Sequence, residues 1–227
     1  MTMKYLPLVA TLAIASPAFG ITVNMTDFTF TPPGAVAVTD SSDASNNFGG
    51  LAGEFDGTFV GTSNLRVGSP EAASSASFNA YCAEISQGFG FGIPYDYTLV
   101  SGAGYFGATK ASNLSRLFRA AEGFVIDGTT SAALQAAIWE IIYEKAPTFS
   151  LAAGNFTGTG DAAAFGTVNS FLTNLSSYSD AFYKIEVLTN GIQQDFVVPT
   201  LVPEPGTWAL LAAGLGAIGL VARRRKA

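Results

Sequence analysis

Residues 21–26 read Ile-Thr-Val-Asn-Met-Thr, apolar and polar side chains in alternation. A period of two sends successive side chains to opposite faces, the pattern of a strand with one buried face. The same period recurs in short runs bounded by Gly, Asn, Asp and Pro, and it predicts strands over 21–30, 35–40, 53–61, 77–86 and 95–102. Residues 183–198 read as a hairpin turning at Asn190-Gly191, with Pro199 ending the last strand. Residues 41–52 and 66–76 read as loops.

Three segments change to a helical period. Leu114, Leu117, Phe118 and Ala121 follow a Ser112 cap. Leu134, Ile138, Ile141 and Ile142 mark a longer helix over about 131–145, ended by Pro147. Phe165, Val168, Leu172 and Leu175 follow an Asp161 cap. Strands, a helical block and a closing hairpin predict an α+β, mainly β fold: a β-sandwich or barrel-like domain with a helical insertion.

Both ends carry marks of processing. Lys4 precedes an apolar stretch, and Ala18 and Gly20 stand at minus three and minus one of a cleavage site. Residues 1–20 therefore read as a secretory signal peptide. Near the other end, Thr207–Ala222 is an uninterrupted apolar run, followed by Arg223, Arg224, Arg225 and Lys226. A spanning helix needs about 17–25 apolar residues. Residues 207–222 read as a short transmembrane helix whose basic end stays cytoplasmic. One extracytoplasmic domain remains, residues 21–200, followed by a terminal segment, 201–227.

Between residues 21 and 200, six Lys and Arg face sixteen Asp and Glu, a balance near −10. Nucleic-acid binding needs basic patches, so this charge argues against it. The chain has no histidine, which excludes Ser-His-Asp and Cys-His mechanisms and His-containing zinc sites. No ordered calcium-loop spacing appears, and nothing calls for a cofactor. Its single cysteine, Cys82, cannot form an internal disulfide. A free thiol is a liability outside the cytoplasm, so Cys82 is buried or has a chemical role.

On a helix turning roughly 100° per residue, Gln135 falls between Ile142 and Trp139, on the apolar face. A buried amide without partners costs about 1–3 kcal/mol. Gln135 must therefore cap a strand edge or meet another polar group. Cys82 lies in an alternating stretch, with Phe78, Ala80 and Glu84 on its face and Tyr81, Ala83 and Ile85 on the other. As a pair the two residues offer a further possibility. A thiol and a carboxamide in a dry pocket can condense with loss of ammonia to an internal thioester. An incoming amine or hydroxyl can then attack the acyl carbon, leaving the chain attached through Gln135. Such a bond reacts once, so the chain is not a turnover enzyme. A hydrolase without histidine would need a carboxylate pair. Glu140 and Glu144 are one helical turn apart, but their spacing puts them on the solvent side.

Tyr81-Cys82-Ala83 followed by Leu134-Gln135-Ala136-Ala137-Ile138-Trp139 resembles the two signature blocks of thioester domains, known from surface adhesins of Gram-positive bacteria. Two departures are visible: adhesin versions often carry Thr where this chain has Leu134, and Ala83 is small for an apolar position. The resemblance implies a mainly β fold with a helical part and a Cys82–Gln135 cross-link shielded by Tyr81, Ile138 and Trp139. Pro203-Glu204-Pro205, the apolar span and the basic tail Arg223, Arg224, Arg225 and Lys226 resemble a PEP-CTERM sorting signal of Gram-negative bacteria. That signal implies processing by an exosortase-type transpeptidase. It also implies transient anchoring in the inner membrane and delivery to the cell surface or extracellular matrix. The expected function is covalent attachment to a surface protein, a polyamine or a polysaccharide. The alternative is a non-covalent structural or carbohydrate-binding matrix protein with Cys82 and Gln135 merely packed.

Overall fold

The computed structural model describes residues 19–60, 77–202 and 214–215. The expected signal peptide, the Pro203–Pro205 motif, the basic tail and nearly all of the apolar run lie outside them. Among the described residues no helix is long and apolar enough to cross a membrane.

In chain order the strands are β1 (Phe19–Phe28), β2 (Gly34–Asp40), β3 (Phe48–Ala52), β4 (Phe55–Val60), β5 (Ser77–Cys82), β6 (Pro94–Ser101), β7 (Phe156–Thr159), β8 (Tyr183–Thr189) and β9 (Phe196–Leu201). The α-helices are α1 (Gly102–Phe106), α2 (Ala108–Ala120), α3 (Gly128–Tyr143) and α4 (Ala162–Thr173). Six strands close into a barrel in the order β1-β4-β5-β9-β8-β6, each neighbouring pair antiparallel. A smaller sheet runs β3-β2-β7. The expected α+β, mainly β fold is the one observed, with the closed barrel as the larger of its two sheets.

Alternation fills the barrel. Ile21, Val23 and Met25 of β1, Phe78 and Ala80 of β5, and Tyr97 and Leu99 of β6 point into one buried cluster with Phe55 and Phe196. The opposite faces of β5, β8 and β9 join a larger core with α2, α3, α4 and the small sheet. α3 runs through that second core, packed on β2, α2 and α4.

Several expectations are corrected. Residues 41–52 are not all loop: β3 lies within them and pairs with β2. β7, also unforeseen, pairs with the other edge of β2. The first expected helix is α2, which begins at Ala108, well before Ser112, and the Ser112 hydroxyl donates to Asp180 instead of capping; the short α1 ahead of it was not expected. The long helix ends at Tyr143, before Pro147. β9 runs through Pro199, which pairs with Ile185 of β8. β5 flanks β9 only at Phe196 and Val197, so Pro199 stands where an edge strand tolerates a missing N–H.

Glu140 and Glu144 are the clearest correction. Both are buried, Glu140 completely. α3 has no solvent face at this end, because residues after it fold back over the carboxylates. Glu140 Oε1 accepts the Ser150 N–H at 2.7 Å. The Glu144 carboxylate accepts N–H groups of Lys145, Ala146 and Phe156 at 2.7, 2.6 and 3.0 Å. Charge on one side of a helix here marks a buried set of acceptors for returning backbone.

Candidate functional site

α3 delivers Gln135 to the barrel. The Asp127 side chain caps the helix at the Thr130 N–H, and the Thr130 hydroxyl completes a capping box. Small residues, Ala132, Ala133, Ala136 and Ala137, are all buried and let neighbouring elements approach α3 closely. Gln135 is 0% exposed.

β4 pairs with β5 only as far as Ala80, opposite Phe55. Two residues further along the same edge, Cys82 has lost its strand neighbour. The Gln135 carboxamide takes that place: its Oε1 accepts the Cys82 N–H at 2.8 Å, and its Nε2 donates to the Cys82 carbonyl at 3.0 Å. A side-chain amide thus continues the ladder where the strand stops. On the opposite edge the Ala83 N–H donates to the Asp195 carbonyl at 2.8 Å, which keeps Cys82 on the barrel.

Cys82 touches both apolar cores and lines a cavity of about 220 Å³. Its walls include Phe48, Phe55, Phe89, Phe91 and Trp139, with Glu84 and Gln87 as polar members. Trp139 is buried and meets Phe48 edge-on. Burial, and next the nearby Glu84 carboxyl, push the Cys82 thiol well above its ordinary range. Burial also raises the Glu84 carboxyl. The resting sulfur is therefore a protonated thiol.

The structure brings Cys82, Gln135 and Trp139 together. Ile138 is completely buried in the larger core. Tyr81 faces away from Cys82, packed against Phe118, and lines a different cleft with Glu54 and Leu134. Glu84, Gln87 and the Phe89–Phe91 segment were not foreseen. Two signals were present: Glu84 shares the face of Cys82, and residues 88–92 read Gly-Phe-Gly-Phe-Gly, too aromatic for an idle loop. Among the described residues no cluster of three or more His, Cys, Asp or Glu side chains could hold a metal ion.

Residues 201–226 match the family model of the PEP-CTERM protein-sorting motif. The motif marks the chain as an exported, surface-sorted protein handled by an exosortase-type enzyme. A comparison with curated protein sequences finds no match. Among solved structures, the chain is similar to the N-terminal thioester domain of a surface protein from Clostridium perfringens. Identity is 11%, with 81% of this chain and 100% of that one covered and a TM-score of 0.47. It is also similar to the N-terminal domain of the Streptococcus pyogenes pilus tip adhesin Cpa, at 12% identity, covering 78% and 99%, with a TM-score of 0.42.

Proposed function

We propose that this surface-sorted protein attaches covalently to an amine- or hydroxyl-bearing target through an internal thioester between Cys82 and Gln135. The observation that carries the reading is the fully buried Gln135 carboxamide, hydrogen-bonded at both ends to the main chain of Cys82 beside an apolar cavity. In the condensation the sulfur attacks Cδ, the thiol proton passes to Nε2, and ammonia leaves. The Cys82 N–H already donates to Oε1, the atom on which negative charge develops. In the second step a nucleophile on a surface protein, a polyamine or a polysaccharide attacks the same carbon. The sulfur leaves as a thiol, its basicity favouring reprotonation. Trp139 and the Phe walls keep water from the bond. Each chain reacts once and does not turn over.

The test is the intact mass of the purified protein with and without methylamine, beside a Cys82→Ala control. A mass lower by one ammonia, absent from the control and replaced by a methylamine adduct on Gln135, is the expected result. A second reading is favoured by one detail: the Gln135 amide already satisfies the strand edge, so it has a packing role without any reaction. The protein would then be a non-covalent structural or carbohydrate-binding component of the matrix. A full mass, a thiol that titrates once the chain is unfolded and an unhydrolysed amide at position 135 would end the covalent reading and favour this one.

A further inference from the structure

The cavity beside Cys82 has a chemical bias of its own. Its walls are mainly aromatic, and two of its apolar members reach the surface: Leu51 is 55% exposed and Phe91 42%. Phe91 leans on Phe28, Phe55 and Phe89, so its ring forms a fixed wall. Two polar side chains of its walls, Glu84 and Gln87, offer acceptors to a ligand. Glu84 has no salt-bridge partner among the described residues, and its Oε1 receives only the Asp195 N–H at 3.2 Å. The Gln87 Oε1 is buried with no hydrogen-bond partner among the described residues. The Trp139 indole N–H, equally unpartnered, and the Gln87 amide N–H groups are wall donors that suit an acceptor on the same ligand. A volume of about 220 Å³ lies below the roughly 300–1,000 Å³ of drug-sized sites. It has room for one side-chain-sized group rather than a run of sugars.

We propose that this cavity admits the attacking nucleophile and selects a primary amine carried on an aromatic or bulky apolar body, with Glu84 receiving the ammonium group. The choice of an amine rests on the thioester reading, whereas the apolar selection is testable without it. Glu84 takes one proton from the ammonium and releases it to solvent. The neutral amine attacks Gln135 Cδ, the C–S bond breaks, and the second nitrogen proton passes to the departing sulfur. The products are a secondary amide and a free Cys82 thiol. Small hydrophilic amines and sugar hydroxyls lack the apolar body that the walls would bury.

The experiment has two arms. In the first, the full chain carrying Cys82→Ser, which cannot hold the thioester, is titrated calorimetrically with phenethylamine, methylamine and spermidine. Phenethylamine is expected to bind about tenfold or more tightly than methylamine, from ring burial. Adding Phe91→Ser should remove most of that advantage, and adding Glu84→Gln should weaken binding up to about fivefold. Phe91 packs on Phe28, Phe55 and Phe89 at the barrel's edge, so the thermal midpoint of each variant is measured beside its titration to separate lost binding from lost folding. Failure to bind phenethylamine, or binding indifferent to both substitutions, overturns the proposal. In the second arm the wild-type chain is treated with the same amines and its Gln135 adducts are quantified. Adducts that form at equal rates with all three overturn the amine selection and leave the thioester standing. No adduct, with phenethylamine still binding the Cys82→Ser chain, overturns the thioester and retains the cavity.

Discussion

Gln135→Leu keeps the side chain's approximate size and deletes its amide, leaving the Cys82 N–H and carbonyl without partners at the end of the β4 ladder. Two buried backbone groups left unpaired cost about 2–4 kcal/mol together. Urea unfolding should show that loss, measured in a Cys82→Ala background so that no cross-link enters the comparison. Glu140 makes a second residue-scale prediction. Burial pushes its carboxyl from 4.5 to about 7, and Oε2 has no hydrogen-bond partner among the described residues. The native state holds this proton more tightly than the unfolded chain does. Its contribution is therefore fully present below pH 4.5 and lost as pH rises through about 7. Glu140→Gln should leave thermal stability at pH 4 nearly unchanged and raise it at pH 8 by about 1–3 kcal/mol. Glu54, raised to about 7 by burial and then by Asp56, keeps part of the slope in the variant. The Cys82–Gln135 pair was legible in the sequence because a lone thiol and a carboxamide on an apolar helix face are both unusual. The burial of Glu140 was not: it depends on Ser150, ten residues on, returning to its carboxylate.

The crossing of α3 with the chain entering β2 is tighter than any side chain allows. A Cβ on Gly128 would lie 2.1 Å from the Pro32 carbonyl oxygen and 2.9 Å from the Gly34 nitrogen, both backbone atoms unable to rotate away. Gly128→Ala should therefore destabilise the protein by about 1–3 kcal/mol despite alanine's better helix propensity. Gly166→Ala is the matched control. Gly166 is an exposed glycine inside α4 with nothing within 4 Å of its Cβ position. It should gain up to about 1 kcal/mol, giving opposite shifts in thermal midpoint. Elements with strong local signals were legible: the alternating β1 and β6, and α4 after Asp161, whose carboxylate accepts the Ala163 and Ala164 N–H groups. β3 and β7 were not. Phe-Gly-Gly-Leu-Ala and Phe-Thr-Gly-Thr have little strand propensity, and both extend because the two edges of β2 offer them partners. The β8–β9 turn was misjudged for a similar reason. Asn190 does not form a two-residue turn; its Oδ1 accepts the Ile192 and Gln193 N–H groups in a longer loop.

At the scale of the molecule, the site and the sorting motif meet along one strand. β9 flanks the Cys82 strand at Phe196 and Val197 and ends at Leu201, where the PEP-CTERM match begins. The folded domain and the sorting motif thus share a boundary, and only one described residue, Val202, stands between β9 and Pro203. The Val202 N–H donates to the Phe182 carbonyl at 2.8 Å, so the fold holds the chain as far as that residue. Pro203-Glu204-Pro205 follows the last strand in the chain, so an enzyme acting on that motif is expected to need nothing from Cys82. Processing and the proposed attachment should therefore separate by mutation. Replacing Pro203, Glu204 and Pro205 by alanine should leave an unprocessed, membrane-fraction chain that still loses one ammonia and still takes up methylamine. Cys82→Ala should be processed at the normal rate and take up none. Cell fractionation with intact mass measurement reads both outcomes. Loss of processing in the Cys82→Ala chain would show that sorting depends on the barrel's condition as well as on the motif. Normal processing would make the two ends of β9 independent: one presents the site, the other the handle by which it is delivered.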